Sequence, residues 1–205
     1  MTDQEFLIRR LVCFASCLIY WGGVWVQARR VRKRIGRSPN LKPQGPKEKL
    51  LWLGWFLVIA SWLGQPFLFG SVFLKPALTF FSALLHPVGL TFGLLLVVAG
   101  YAGTLWSYAA MGDAWRIGIN EREKNVLISG GPYRWIRHPI YSFQVVMLAG
   151  VALLLPTPLS FVVLITHYVC VGIKASDEEK YLISVHGESY RDYLGRTGRL
   201  FPKLI

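Results

Sequence analysis

The chain has 205 residues, of which 53% are hydrophobic and 17% are charged, and its mean hydropathy is +0.40. A soluble domain of this length is usually more polar, and here the apolar residues form runs that approach the roughly 20 residues of a spanning helix. The formal net charge of +12 lies mostly in the gaps between these runs, as juxtamembrane charge does. Composition therefore predicts an integral membrane protein in contact with lipid, and it argues against a nucleic-acid partner.

The apolar runs predict an all-α membrane bundle with about five transmembrane helices. In chain order they cover about Leu7 to Val26, Leu50 to Phe69, Val88 to Ala109, Ile140 to Leu155 and Leu159 to Ile173. The third lies within a longer stretch, Leu78 to Ala110, which His86-Pro87 interrupts because the residue before a proline avoids helix. Leu78 to Leu85 is then either a re-entrant or interfacial piece or the start of a long kinked helix.

The last two predicted spans are both short for a full crossing, and only Pro156-Thr157-Pro158 separates them. A connection this tight predicts an antiparallel helical hairpin. We expect one membrane domain over 1–205, with N-terminal helices and a basic cytosolic loop over about 1–87. The second part, about 88–205, holds the candidate functional core and ends in a cytosolic C-terminal helical segment.

Twenty of the 23 basic residues lie in the first loop, the third loop and the tail, which five spans place on one side. The excess of Lys and Arg on the cytoplasmic side predicts an N-terminus outside and a cytosolic C-terminus. The three cysteines lie inside apolar runs, where we expect small buried hydrophobes and neither a disulfide nor a metal site.

Two polar motifs flank the predicted hairpin. Proline is favoured at the first position of a helix, so Pro139 makes His138 the expected N-cap and leaves the amides of residues 140–142 free. Such amides attract anions, and Arg137 adds a fixed positive charge for a carboxylate or phosphate. The alternative is that Arg134 and Arg137 reach lipid headgroups while His138 merely caps the helix.

The second motif, Ser176-Asp177-Glu178-Glu179, resembles a capping box with Ser176 at the cap and Glu179 three residues later. Glu178 then faces inward. A solvated helix N-terminus is the alternative. Upstream, the apolar run from Asn125 to Ile128 reads as an extended piece that ends in a Gly-Gly-Pro turn, where Tyr133 is placed to stack on a planar group.

Together these residues resemble the isoprenylcysteine carboxyl methyltransferase family and its phospholipid N-methyltransferase relatives, over roughly residues 90 to 202. The matching pattern is Leu127, Gly130, Tyr133, Arg137-His138-Pro139, Tyr141, the hairpin, Glu178-Glu179, Leu182, Gly187, Tyr190, Tyr193 and the ending from Gly195 to Pro202. The resemblance implies S-adenosylmethionine as the methyl donor and a lipophilic methyl acceptor, with transfer by direct in-line displacement.

When the family's donor-site residues are carried over position by position, they correspond to ten residues of this chain. These residues are Asn125, Val126, Leu127, Ile128, Tyr133, His138, Pro139, Ile140, Tyr141 and Glu178. Arg137 and Glu179 complete the candidate donor site. Lys174 stands where the eukaryotic members have an arginine near the acceptor, and lysine lacks its bidentate grip on a carboxylate. Lys174 and Arg196 are the candidates for orienting an anionic acceptor.

Three types of acceptor besides a prenylcysteine carboxylate stay open: a lipid amine, a small thiol or another hydrophobic metabolite. Two other functions also stay open. An Arg-His-Pro region occurs in membrane sterol reductases that use NADPH, although those are much longer. A non-enzymatic scaffold is the other alternative, with the basic loop Arg29 to Arg37 binding anionic lipid or a partner. The absence of any Gly-x-Gly argues against a Rossmann-type donor site.

Overall fold

The computed structural model describes residues 2–39, 45–116 and 127–203, and this part of the chain contains seven α-helices and no β-strand. The helices are α1 (Asp3–Ile35), α2 (Gly45–Leu68), α3 (Lys75–Leu78), α4 (Pro87–Met111), α5 (Pro139–Leu154), α6 (Pro158–His186) and α7 (Glu188–Arg196). Short 3-10 turns lie at Ser82–Leu84, Gly112–Ala114 and Gly131–Arg134. The predicted all-α membrane bundle is confirmed.

Four helices, α1, α2, α4 and α6, are long and apolar enough to cross a membrane. The fourth predicted span is the 16-residue apolar helix α5. At 1.5 Å per residue it measures about 24 Å, which is shorter than the roughly 30 Å hydrocarbon core. Helices α5 and α6 contact each other across the Pro156-Thr157-Pro158 connection, so the predicted hairpin is confirmed.

A buried arginine of α1 caps the C-terminal end of α5. Arg9 is fully buried, and its Nη1 donates hydrogen bonds to the carbonyl oxygens of Leu153 (3.2 Å) and Leu154 (3.0 Å). Glu5, one turn earlier, lies 2.7 Å from Arg9 Nη2. A cation at a helix C-terminus satisfies the last carbonyls and complements the helix dipole. The C-terminal end of the short α5 therefore packs against α1 at the ion pair of Arg9 and Glu5.

Glycines bring α4 and α5 together. A Cβ built on Gly100 of α4 would lie 2.6 Å from the carbonyl oxygen of Phe143 and 2.8 Å from the amide nitrogen of Met147. One built on Gly150 of α5 would lie 2.6 Å from the carbonyl oxygen of Gly93. Small residues at such positions let helix backbones approach closely in lipid. This packing fixes the position of α5 relative to α4.

The stretch before α4 is a separate short segment. α4 begins at Pro87, and the ring Nδ1 of its N-cap, His86, accepts a 3.3 Å hydrogen bond from the Val88 amide. The alternative of one long kinked helix is therefore wrong. The Phe81 amide donates to the Pro156 carbonyl at 2.8 Å, which ties the segment to the end of the α5–α6 hairpin.

Two helices run further than the apolar pattern predicts. α1 continues to Ile35 because Val31 and Ile35 pack on the core, so the basic residues from Arg29 to Arg34 lie on a helix and not in a loop. α6 continues to His186 and contains Ser176 in its interior. The expected capping box is therefore wrong, because the chain between Ile173 and His186 holds no glycine or proline to end the helix.

Candidate active site

Three consecutive acids on α6 point to three different parts of the molecule. Successive helical residues are rotated by about 100° around the axis, so Asp177, Glu178 and Glu179 face different neighbours. Asp177 faces α2, where Lys47 Nζ lies 2.6 Å from its Oδ2 in a largely exposed ion pair. The other two acids face the start of α5 and the C-terminal tail. A separate partner for each acid accounts for the run that the sequence left unexplained.

Glu178 connects α6 to the start of α5, and part of its carboxylate remains exposed to solvent. Tyr141 donates its hydroxyl hydrogen to Glu178 Oε1 at 2.8 Å, and His138 Nδ1 lies 3.3 Å from Oε2. The rings of His138 and Tyr141 are nearly parallel, with centroids 5.8 Å apart. The Glu178 side chain is 20% exposed, whereas that of Glu179 is 6% exposed. Glu178 thus retains acceptor capacity toward a ligand.

Glu179 is a buried carboxylate at the centre of an ion-pair cluster. Arg137 Nε donates to Glu179 Oε1 at 2.8 Å, and Arg199 Nη2 donates to Oε2 at 2.6 Å. Arg137 Nη1 also donates to the carbonyl oxygen of Thr197. Glu179 therefore does not cap a helix, and Arg137 is held by internal acceptors instead of lying open to a ligand. Through these contacts Arg137 and Glu179 connect α6, the segment before α5 and the C-terminal tail.

The C-terminal tail pairs with the segment before α5 through the backbone. The Arg137 amide donates to the Gly198 carbonyl (2.8 Å), the His138 amide to the Arg199 carbonyl (3.1 Å) and the Gly198 amide to the Trp135 carbonyl (3.0 Å). A Cβ on Gly198 would collide with the Phe201 carbonyl oxygen at 1.7 Å, so this turn requires glycine. Sequence reasoning noted the glycine-containing ending but did not place it in the site.

His138 is the N-cap residue of α5, as predicted, but its ring does not cap the helix. The Ser142 amide donates to the His138 carbonyl at 3.1 Å, so of the three expected free amides only those of Ile140 and Tyr141 lack an acceptor within the helix. The His138 Nε2 atom is buried without a hydrogen-bond partner, 3.4 Å from Glu179.

The protonation of His138 is set by opposing influences. Burial lowers the pKa of the His138 ring, but the carboxylates of Glu178 and Glu179, 3.3 and 3.4 Å from its two nitrogens, outweigh burial and leave the pKa above its ordinary value. The two carboxylates therefore shift the ring toward its cationic form. In that form both ring nitrogens carry hydrogens and hold the carboxylates in place.

The wall expected from residues 125–133 is described in part. Asn125 and Val126 lie outside the described residues, whereas Leu127 and Ile128 are half-buried. Tyr133 is buried, and its carbonyl accepts a 2.6 Å hydrogen bond from the Tyr193 hydroxyl on α7. Burial raises the pKa of Tyr193 to about 12, so this phenol keeps its proton and remains a donor.

The two residues expected to orient the acceptor have different surroundings. Lys174 is buried between α6 and α2, and its Nζ lies 2.9 Å from Glu48 Oε1. Arg196 is exposed at the end of α7. The cysteines Cys13, Cys17 and Cys170 are buried and unbridged. Within residues 2–39, 45–116 and 127–203, no three His, Cys, Asp or Glu side chains form a cluster that could hold a metal ion.

Comparison with known proteins places this site in a family. Residues 88–189, from α4 to the start of α7, match the sequence profile of the family described as phospholipid methyltransferase. This part of the chain belongs to that family of membrane methyltransferases. Its fold of long apolar helices is that of an integral membrane protein, and the matched residues include every described candidate donor-site residue.

Individual relatives carry several names. The chain is 34% identical over 134 residues to protein-S-isoprenylcysteine O-methyltransferase of Saccharomyces cerevisiae, which covers 63% of this chain and 56% of that protein. It is 35% identical over 91 residues to methanethiol S-methyltransferase of a Pseudomonas species, which covers 44% and 34%. It is 27% identical over 119 residues to cobalt-zinc-cadmium resistance protein CzcN of Cupriavidus metallidurans, which covers 58% and 51%. The matched region spans about half the length of the first and third relatives, and less of the second.

Proposed function

We propose that this membrane methyltransferase transfers the methyl group of S-adenosylmethionine to a lipophilic acceptor at the junction of α5, α6 and the C-terminal tail. One observation carries the proposal: Glu178 is held by His138 and Tyr141 yet keeps an exposed edge. The names of two relatives, a carboxyl and a thiol methyltransferase, support transfer to oxygen or sulfur. The family match favours this function over the reductase and scaffold alternatives.

The donor has chemical groups that fit the residues present. Its ammonium group and ribose hydroxyls suit the open edge of the Glu178 carboxylate. Its carboxylate suits the free amides of Ile140 and Tyr141 at the positive end of α5. Its adenine suits the apolar wall of Leu127 and Ile128.

Other members of the proposed site act more indirectly. Tyr133 and Pro139 shape the wall and the helix start, and Asn125 and Val126 complete the proposed donor site outside the described residues. Arg137 and Glu179 position the site through their ion pair and do not contact the donor in this proposal.

The protein's task is positioning and exclusion of water. S-adenosylmethionine supplies an electrophilic methyl group on a sulfonium sulfur. The acceptor attacks in line with the bond that breaks, and this step gains from fixed orientation and a dry surrounding more than from a covalent intermediate. Glu178 and the start of α5 would hold the methyl donor while the acceptor approaches laterally from the lipid. Arg196, at the rim, is proposed to orient the polar end of the acceptor.

We propose an orientation in which the basic end of α1, the active site and the tail are cytosolic and the N-terminus is outside. The motivating observation is the exposed cationic surface at the end of α1, where Arg29, Arg30, Arg32, Lys33 and Arg34 all face outward. The buried Arg9, with its Glu5 partner, contributes no free charge on the other side. Labelling of single cysteines placed near each terminus, in intact and in permeabilised cells, would test this orientation.

The donor assignment is tested by ligand-dependent stabilisation. Detergent-purified protein is heated with S-adenosylmethionine, its demethylated product or NADPH, and the shift in melting temperature is measured. The first two should stabilise the protein in a saturable manner and NADPH should not. Stabilisation by NADPH alone would indicate a reductase, and no stabilisation by any of the three would contradict the donor site.

A further inference from the structure

The nearest cation to Glu178 on the same face of α6 already has a carboxylate partner. Lys174 lies four residues before Glu178, so the two side chains are neighbours on one face of the helix. Lys174 is 5% exposed, and its Nζ lies 2.9 Å from Oε1 of Glu48 in the first turn of α2. Because this neutralised pair lies one helical turn from Glu178, toward the apolar part of α6, an acceptor that approaches from the lipid would meet it.

Other buried basic side chains in the described part of the chain also have carboxylate partners. Its buried arginine and lysine side chains, counting Arg137 at 10% exposure, and the ring of His138 each have a carboxylate oxygen within 3.3 Å. The pairs are Arg9 with Glu5, Arg137 with Glu179, His138 with Glu178 and Lys174 with Glu48. Among the described residues, no arginine or lysine is therefore buried without a carboxylate partner and free to bind an anionic acceptor.

Resting on the function proposed above, we infer that Glu48 makes the site select an acceptor that is uncharged at its reacting atom, with a neutral lipophilic thiol as the simplest member of that class. A carboxylate that leaves water requires an unpaired cation, and no described side chain supplies a buried one. A thiol brings no such charge and needs only an apolar path.

The reaction of such an acceptor balances without another reactant. The thiol sulfur forms a bond to the methyl carbon with its own electron pair. The bond between that carbon and the donor sulfur breaks, and its electron pair stays on the donor sulfur. The thiol proton passes to water at the exposed edge of the site as the sulfur attacks, because the thiolate is the nucleophile. The products are a methyl thioether, the neutral demethylated donor and one proton.

Two probes with the same alkyl chain separate charge from hydrophobicity. At pH 7, dodecanethiol is neutral and dodecanoate is an anion. Protein in lipid nanodiscs is assayed for methyl transfer to each probe, for thermal stabilisation by each probe and, separately, for binding of S-adenosylmethionine. The variants are Glu48→Gln, the double variant Glu48→Gln/Lys174→Met, and Glu188→Gln as a control at an exposed ion pair with Arg191.

We expect wild-type protein to prefer the thiol in both transfer and stabilisation by about tenfold or more, a difference of at least about 1.4 kcal/mol. Glu48→Gln frees Lys174 and should shift this preference toward dodecanoate. The double variant and Glu188→Gln should show no such shift. Donor binding should be the same in all four proteins.

Two outcomes would overturn the inference, and they differ from failure of the proposed function. Equal use of both probes by wild-type protein that binds the donor would show that the site accepts an anion. A folded Glu48→Gln variant with an unchanged preference would show that Glu48 does not set it. If wild-type protein does not bind S-adenosylmethionine at all, the proposed function fails first and the inference falls with it.

Discussion

Arg137 Nε donates a 2.8 Å hydrogen bond to Oε1 of Glu179, and this contact joins the residue before the α5 N-cap to the second half of α6. Both side chains are at most 10% exposed. Because the tail also binds Glu179 through Arg199, one carboxylate holds together three segments that lie far apart in the sequence. The start of α5 and the adjacent Glu178 are positioned by this cluster.

Replacing Glu179 with Gln should therefore destabilise the protein. Loss of one partner of a buried ion pair leaves a charge uncompensated and typically costs roughly 3–5 kcal/mol. The melting temperature of detergent-purified protein measures the effect. Asp177→Asn, at the exposed pair with Lys47, should cost less than about 1 kcal/mol and serves as the control. Equal melting temperatures for the two variants would contradict the role of the cluster.

Arg9→Met should destabilise the other end of α5. The variant loses hydrogen bonds from a guanidinium to the carbonyls of Leu153 and Leu154, and hydrogen bonds of this charged type contribute roughly 1.5–3 kcal/mol. Arg30→Met, at an exposed position on the same helix, should be nearly neutral. Thermal unfolding of both variants in detergent checks this, and no difference between them would show that the buried arginine does not stabilise α5.

Gly100→Ala should loosen the contact between α4 and α5. The new methyl group would lie within 2.8 Å of backbone atoms of Phe143 and Met147, and overpacking of this kind costs about 1–3 kcal/mol. Gly172→Ala is the matched control, because no atom lies within 4 Å of its Cβ position and alanine favours helix. The melting temperature should fall for the first variant and hold or rise for the second. The reverse order would refute the close approach.

Stability should depend on pH through His138. Its folded-state pKa is raised above 6.5, so its stabilising contribution is complete at pH values below 6.5 and is lost as the pH rises through the folded-state pKa. The melting-temperature difference between wild type and His138→Gln should therefore narrow with rising pH. Thermal unfolding at a series of pH values above 6 measures it. A difference that stays constant or widens would exclude a cationic His138 between the two glutamates.

The general architecture follows from sequence because apolar run length and proline position are local properties. His138 as the α5 N-cap was predicted from Pro139 alone, and the hairpin from two prolines. The capping box at Ser176 failed because the same residues fit a continuous helix, and only tertiary partners distinguish the two. Nothing in the run Asp177-Glu178-Glu179 tells which acid meets Lys47, Tyr141 or Arg199.

The site is less predictable than the fold because its contacts join distant segments. Arg137 looked like an open anion ligand, since its partners Glu179 and the Thr197 carbonyl lie 42 and 60 residues away. The partner of Lys174 is Glu48, 126 residues earlier in the chain. The pairing of the tail with residues 135–138 uses backbone groups, which carry no residue-specific signal.

The most direct test of the donor site is a calorimetric titration of S-adenosylmethionine into detergent-purified wild type, Glu178→Gln and Glu188→Gln. Wild type and Glu188→Gln should bind with the same affinity. Glu178→Gln should lose at least about tenfold in affinity while it remains folded, because a neutral amide interacts less strongly with the donor's cationic groups. Unchanged affinity in a folded Glu178→Gln variant would contradict the account.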